Sequence, residues 1–475
     1  MNQIIVKLTA VVFFVFILFS ANAQETWSLE KCIEHAATNN LQVLRSDIAV
    51  EQAKINEHQV KQQRYPSLSG AGSYSVNFGR SIDPTTNTFE TKTLQGNNFS
   101  LNTGAPIYNG FQIKNTITQR SFDILSSQSE KEAIINNLAL TVAQAYLQIL
   151  LNEDQLKIAE NRLETTKRQL ERTNKLINAG QIAGVNRLPI EAQIYSDEQT
   201  IINAANLVQG AYLNLKTQLN LEADYDLKIV RPEAIVPEQY SLETLDLGTL
   251  YNNSLSYQPQ IKANDYRIKS AEKAIEVAKG ARQPSLTVFG ALNTNYSDIA
   301  KKRTAVPTTT DIPVTFMGQT GIIEFPSQDI VAENYPYFNQ LGDNFGQSLG
   351  LRLSVPIYNN GITNANIQRA ELNRINADYT AKQAKLQLKA DIQNTLANAR
   401  AAEKEVKASE KTVEAQQLAY ESTEKRFNLG AATSFEYTET KDNLDIAKAN
   451  LVTAKYKLLF QLKALDFYAG KEITL

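Results

Sequence analysis

The sequence predicts a mainly α-helical chain whose long antiparallel coiled-coil helices build a tunnel. The chain also gives four strands to a small transmembrane β-barrel, and the whole plan occurs twice in tandem. Three observations carry this prediction. Short motifs recur in the same order in both halves. Two very long stretches lack proline and glycine and repeat their apolar residues every three and four positions. Four shorter segments alternate apolar with small polar residues, the period of a strand.

Composition is compatible with this plan and excludes others. Of 475 residues 43% are hydrophobic, and 48 Lys+Arg stand against 50 Asp+Glu. Disorder needs low hydrophobicity with high net charge. Nucleic-acid binding needs a basic footprint that a net charge of -2 does not supply. With 13 Pro and 20 Gly, breakers are scarce enough for long elements. Lys7, the apolar run Leu8 to Phe19 and the small residues Ser20-Ala21-Asn22-Ala23 predict a signal peptide over 1–23. That run is too short for a spanning helix, which needs about 20 residues. Cleavage after Ala23 leaves Gln24 first, with no thiol for lipidation, and Cys32 alone forms no internal disulfide.

The duplication sets the domain boundaries. Arg64-Tyr65-Pro66-Ser67-Leu68 recurs as Arg282-Gln283-Pro284-Ser285-Leu286, an offset of 218. Ala105-Pro106-Ile107-Tyr108-Asn109 recurs as Val355-Pro356-Ile357-Tyr358-Asn359, and Asn178-Ala179-Gly180 as Asn428-Leu429-Gly430, both at an offset of 250. An extra segment therefore lies between Tyr296 and Phe345; rich in Thr, Pro and aromatics, it reads as an external loop. The first repeat is expected over 24–221, an equatorial segment with Pro232 and Pro237 over 222–246, the second repeat over 247–465 and a tail over 466–475.

Each repeat opens with a helical stretch, Leu29 to Arg64 broken near Asn39-Asn40 and Leu247 to Arg282 broken at Gln258-Pro259. Strand pairs follow. Leu68, Tyr74 and Val76 alternate with Ser67, Ser69, Ser73 and Ser75, and Phe99 and Leu101 with Asn98, Ser100 and Asn102. In the second half Leu286, Val288 and Leu292 oppose Ser285, Thr287, Asn293 and Asn295, while Leu349, Leu351 and Leu353 oppose Ser348, Arg352 and Ser354. The long helices then run from about Phe111 to Asn178 and from Ile362 to Asn428. At 1.5 Å per residue each spans roughly 100 Å. Their seams, such as Leu138, Val142, Ala145 and Ile149 or Leu388, Ile392, Ala399 and Ala402, have coiled-coil spacing with many small residues. Gly180 and Gly430 end them, since glycine tolerates the left-handed conformation. Shorter return helices follow, one started by Thr433 with Glu436 in a capping-box pattern, the other carrying Pro189 in the first turn after Asn186.

Strands of about ten residues suit a transmembrane barrel. Four strands cannot close, and lipid does not tolerate an open edge. The chain must pool strands with copies of itself, and three copies give twelve. The apolar faces then meet lipid. The small polar faces, including Ser73, Ser75, Asn102, Asn293 and Arg352, line a wet lumen. Arg352 breaks the small-polar pattern; it either tunes conductance or pairs with a neighbouring acid.

The duplicated order of helix, strand pair, long helix, glycine hairpin and helix, with the Phe427-Asn428-Leu429-Gly430 turn and the Pro-Ile-Tyr junctions, resembles the TolC-like outer membrane efflux proteins over essentially the whole mature chain. The resemblance implies a homotrimeric twelve-stranded duct through the outer membrane and periplasm. It implies docking to a periplasmic adaptor (membrane fusion) protein and an inner-membrane pump, in a tripartite efflux or type I secretion system. It makes Ala179, Gly180, Leu429, Gly430, Ala431 and Ala432 the adaptor-docking tips. It also implies that Glu436 and Glu439, where the family has Asp, ring the periplasmic constriction and favour cations. The plainer reading of this pair is a helix cap with solvated charge.

The remaining residues suggest no chemistry. His35 and His58 read as surface residues, Cys32 as packed, and Ala401 to Lys411 as a solvated helix face. No Ser/His/Asp arrangement or metal cluster is visible, so no enzyme, cofactor or metal is expected, and no nucleic-acid partner. The rival reading is a structural coiled-coil protein of the cell surface, which would not need four lipid-faced strands.

Overall fold

The computed structural model describes residues 26–82, 87–232, 242, 245–471 and 473–474. The expected signal at 1–23 and much of the equatorial segment, from 233 to 241, lie outside the described residues.

The two repeats fold alike. The first opens with α1 (Leu29–Asn39) and α2 (Leu41–Gln62), the second with α5 (Leu247–Tyr257) and α6 (Pro259–Gly280). Ser28 Oγ accepts from the Lys31 amide at 3.3 Å and caps α1; 218 residues later Asp246 accepts from the Thr249 amide at 2.9 Å and caps α5. The breaks also correspond. Asn40 is extended, and its side chain accepts from the Gln42 amide at 2.8 Å, starting α2. Gln258 is extended because a proline follows it, and Pro259 opens α6 where no amide hydrogen is needed.

The long helices α3 (Gln112–Asn178) and α8 (Ile362–Asn428) have 67 residues each and return as α4 (Leu188–Leu219) and α9 (Ser434–Tyr468). Each long helix starts after two consecutive left-handed residues, Gly110 (φ 65) with Phe111 (φ 59) and Asn360 (φ 54) with Gly361 (φ 77). Gly110 is also a crossing point. A Cβ there would lie 2.3 Å from the Gly280 carbonyl oxygen, so only glycine fits.

The chain forms two compact units, and each takes part of both repeats. One comprises the chain through Lys54, Phe122–Lys269 and everything from Ile375 onward; it is helical and holds the core. Among the described residues two apolar clusters lie in it, the first built mainly on the first repeat but also taking Tyr456, Leu459 and Phe467 from the second. The first joins Leu29, Cys32 and Ala36 of α1 to Val142, Tyr146, Ile149 and Leu150 of α3 and Leu215 and Leu219 of α4. The second joins Leu250 of α5 to Ile392, Leu396, Ala399 and Ala402 of α8 and Ala454, Leu458 and Leu462 of α9. Fully buried alanines on the seams let the helix backbones approach closely. A short parallel pair, β1 (Thr26–Trp27) with β6 (Lys228–Ile229), closes over the first cluster, and the Tyr146 hydroxyl donates to the Trp27 carbonyl at 3.2 Å.

The other unit, Ile55–Ser121 and Ser270–Arg374, holds the main sheet. Its strands are β2 (Ser67–Asn77), β5 (Leu94–Asn109), β7 (Ser285–Ser297) and β10 (Gly346–Ser354), in the antiparallel order β10-β7-β5-β2. β3 (Arg80–Ile82) and β4 (Phe89–Thr91) form a small pair in the connection between β2 and β5.

The extra segment is not a plain loop. It is a hairpin of two 16-residue strands, β8 (Lys301–Phe316) and β9 (Gln319–Asn334), followed by α7 (Tyr337–Asp343). Met317 (φ 51) and Gly318 (φ 85) make its two-residue turn. Pro307, Pro313 and Pro326 fall at ladder positions of the same parity, opposite Gln328, Ile322 and Thr309. A proline cannot donate to the ladder, so these positions turn toward the free edges and block further strand addition. The threonine and proline content that suggested a loop is thus the signature of a protected hairpin. α7 is fastened to the end of β7 by buried Gln340, which donates to the Ser297 and Tyr335 carbonyls and accepts from the Ser297 amide at 3.0 Å.

Candidate functional site

The register of the main sheet sorts its residues into two faces. Asn102 lies opposite Ser69 and Ala291, Ser73 opposite Asn98, and Asn293 opposite Ser100 and Gly346. Arg352 lies opposite Thr287. Ser73, Ser75, Asn102, Asn293 and Arg352 therefore all share one face, with serine, asparagine and glycine around them. The other face carries Leu68, Tyr74, Val76, Phe99, Leu101, Leu286, Val288, Leu292, Leu349, Leu351 and Leu353. Leu349, Leu351 and Leu353 are largely exposed, as a band awaiting an apolar solvent would be. Phe289 is the large side chain on the polar face that sequence reasoning passed over. It lies opposite Gly350, and the Arg352 guanidinium sits 5.2 Å from its ring centre. Arg352 thus rests on an aromatic ring rather than on a carboxylate.

The helical hairpins end in a shared motif. Gly180 (φ 71) donates to Ile177 and Gln181 to Leu176 at 3.0 Å; Gly430 (φ 73) donates to Phe427 and Ala431 to Arg426 at 2.8 Å. These paired bonds close both helices through a left-handed glycine. Nothing lies within 4 Å of a Cβ added at either glycine, so the backbone angle alone demands it. Ala179, Gly180, Gly430 and Ala431 are exposed, Leu429 is 85% exposed and Ala432 half-buried. The two hairpins lie side by side, with Arg172 of α3 stacked 5.8 Å from the Phe427 ring of α8.

The return helices start differently. Thr433 and Glu436 form a reciprocal capping box, and Arg426 places its guanidinium 3.6 Å from the Glu436 carboxylate and donates to the Ala431 carbonyl at 3.2 Å. Glu436 is therefore engaged, whereas Glu439, one turn on, is exposed. Asn186 does not cap α4. It lies in a 3₁₀ turn, Gly184–Arg187, which feeds α4 through Arg187 and Pro189 without a side-chain cap.

A buried ionic cluster below the hairpins ties α3, α4 and α9 together. Asp197, 1% exposed, lies 2.8 Å from Arg162 Nε and accepts from the Thr166 hydroxyl at 2.7 Å and the Gln193 amide at 2.9 Å. Arg162 also reaches Asp442 at 2.7 Å, and Lys441 donates to the Arg162 carbonyl at 3.3 Å. Burial pushes the Asp442 carboxyl above its ordinary range, against the pull of Arg162 and Lys441. The available signal was a charge, Arg162, beside Ala159 and followed at helical spacing by the polar residues Thr166, Gln169 and Thr173, which are buried.

Two sheet edges, β10 and β2, without a strand partner among the described residues, one polar and one apolar sheet face, and paired helical hairpins coincide with the matching family model, Outer membrane efflux protein, which covers residues 32–221 and 250–471. The chain belongs to this family. It is an outer membrane protein that extends into the periplasm, an efflux channel with the TolC-like fold of helical tunnel and small barrel. It is 21% identical over 425 residues to the cation efflux system protein CusC of Escherichia coli K12, covering 89% of this chain and 82% of that one. It is 22% identical over 347 residues to the outer membrane protein TolC of Salmonella enteritidis, covering 70% and 61%. The crystal structure of the outer membrane protein VceC from Vibrio cholerae superposes with a TM-score of 0.73 at 14% identity, covering 94% and 96%.

Proposed function

We propose that three copies of the chain close a twelve-stranded barrel and continue it into a helical duct, a passive outlet of a tripartite efflux or type I secretion system. The duct joins a periplasmic adaptor and an inner-membrane pump, as a partner set suited to relatives such as CusC, an efflux system protein. Family membership favours this reading over a surface scaffold. The observation that carries it is the sheet itself. Its outer strands β10 and β2 run in opposite directions, so a second copy added head to tail keeps every pair antiparallel. Native mass measurement in detergent should find three chains per particle; a monomeric particle that conducts would overturn the architecture.

The tips are proposed to meet the adaptor. Gly430→Val forces a β-branched residue into the left-handed region, an outlier conformation costing on the order of 1–3 kcal/mol locally. We expect assembly and barrel to survive while efflux in a susceptible host falls. Undiminished efflux from a well-expressed variant would remove Gly430 from the docking surface.

Glu436 and Glu439 are proposed to ring the inner constriction. Glu436 shares its charge with the capping box and Arg426, so Glu439 carries most of the open negative field. Replacing both with Gln should reduce cation preference and block by multivalent cations in planar bilayers, with Glu439→Gln alone reproducing most of the change. Unchanged selectivity and block would return both to the solvated helix surface.

A further inference from the structure

The four-stranded sheet carries a single side chain from the Asp, Glu, Lys and Arg set on its two faces. Reading along β2, β5, β7 and β10, every residue but Arg352 is apolar, glycine, proline, hydroxylic, aromatic or amide. Arg352 stands on the polar face, two residues from the strand end that Ser285 and Ser354 share, with Ser348 and Gly350 before it. Its surroundings are built for it. Phe289 lies across Gly350, where even a methyl group would come within 2.7 Å of the ring, and the guanidinium stacks on that ring at 5.2 Å. Glycine clears the slot, phenylalanine fills it, and the arginine is held up from the strand without a neutralising carboxylate.

We propose that Arg352, propped by Phe289, is an anion-attracting station of the channel, repeated once per copy and selective for small anions and for solutes bearing carboxylate, phosphate or sulfonate groups. This rests on the closed-barrel reading above. A guanidinium keeps its charge at any working pH. Twelve strands spaced about 4.8 Å apart and tilted about 40° enclose a radius of about 12 Å at the backbone. An extended arginine spans roughly half of that, which leaves the axis within about one screening length, ~10 Å at 0.1 M salt, of all three charges. The remaining lining of Ser, Asn and Gly solvates ions of either sign without choosing between them. The choice therefore falls to Arg352. Its field opposes the carboxylates proposed for the inner constriction, so the duct would sort charge differently at its two levels.

Two measurements test this in the assembled protein. In planar bilayers under a KCl gradient near 0.1 M, Arg352→Gln should move the reversal potential toward cations, changing the permeability ratio by roughly threefold or more. Arg352→Lys should keep the parental sign, and Phe289→Ala should fall between. The second readout needs no through-conduction. In a Ser348→Cys background, an anionic thiosulfonate reagent should react faster relative to a cationic one when Arg352 is present. Adding Arg352→Gln should lower that rate ratio about threefold. Cys32 stays silent, being buried with its thiol pushed up to about 12. A conducting parent whose reversal potential and rate ratio are untouched by Arg352→Gln would overturn the assignment. A Ser348→Cys site that no water-soluble reagent reaches would overturn the lumen reading of this face and the station with it.

Discussion

A chain carrying Ser354→Cys together with Ala71→Cys should form disulfide-linked trimers on oxidation, and neither single substitution should do so. The duplication supplies the register that this pair tests. Within the first repeat Ser67 lies opposite Gly104; shifted by 218 and 250 residues, the same rule places Ser285 opposite Ser354, and the structure has that pair. The contact between repeats, β5 with β7, sets Gly104 opposite Phe289 and Asn102 opposite Ala291. Carrying those pairs forward by the same offsets puts Ser354 of one copy opposite Ala71 of the next, and Arg352 opposite Ser73. Both pairs join polar face to polar face, so the carried register would keep the polar and apolar faces continuous from one copy to the next. It also gives Pro356 and Tyr358 strand partners. In the single chain they are outside any strand and Tyr358 is 83% exposed, whereas Pro106 and Tyr108 pair with β7. Directly opposed Cα atoms of neighbouring antiparallel strands are about 4.5–5.5 Å apart, within disulfide reach. A denaturing gel should show one band of three chains. Cross-links that stop at the monomer, or that need a partner one residue along, would overturn this register.

The same duplication explains what could be read in the sequence and what could not. The helix boundaries at Asn40 and Gln258, the 67-residue helices and the turns at Gly180 and Gly430 were legible because local chemistry dictates them: an extended residue before a cap or a proline, an uninterrupted run of helix formers, a glycine where φ turns positive. The two sheet faces were legible because a period of two needs no partner to be seen. The hairpin β8–β9 was obscured, because its proline and threonine content resembles a loop until the ladder shows which way each proline points. The Arg162–Asp197 pair and the Phe289–Arg352 stack were hidden for another reason. Each joins residues on separate elements, 35 and 63 positions apart, and no periodicity in either element alone brings them together.

Asp197→Ala should be strongly destabilising in the helical unit, by about 2 kcal/mol or more. The loss comes from three sources that share one carboxylate. Arg162 keeps only Asp442 of its two carboxylates, the Gln193 amide loses its acceptor and the Thr166 hydroxyl one of its two, and one ion pair between α3 and α4 disappears. Removing one partner of a buried ion pair costs far more than the pair contributes, since the surviving charge has already been taken from water. That asymmetry makes a sharper prediction. Replacing both charges with apolar residues of similar size, Arg162→Met with Asp197→Leu, should recover most of the loss, although Asp442 then gives up its own contact with Arg162 at 2.7 Å and the recovery should be incomplete. Thermal melts of helicity in detergent, at fixed protein and detergent concentration, measure both variants. A midpoint for Asp197→Ala within about a degree of the parent would show that water already reaches the carboxylate and that the cluster binds nothing together. A double variant no more stable than the single would place the energy in the Thr166 and Gln193 hydrogen bonds instead of the ion pair.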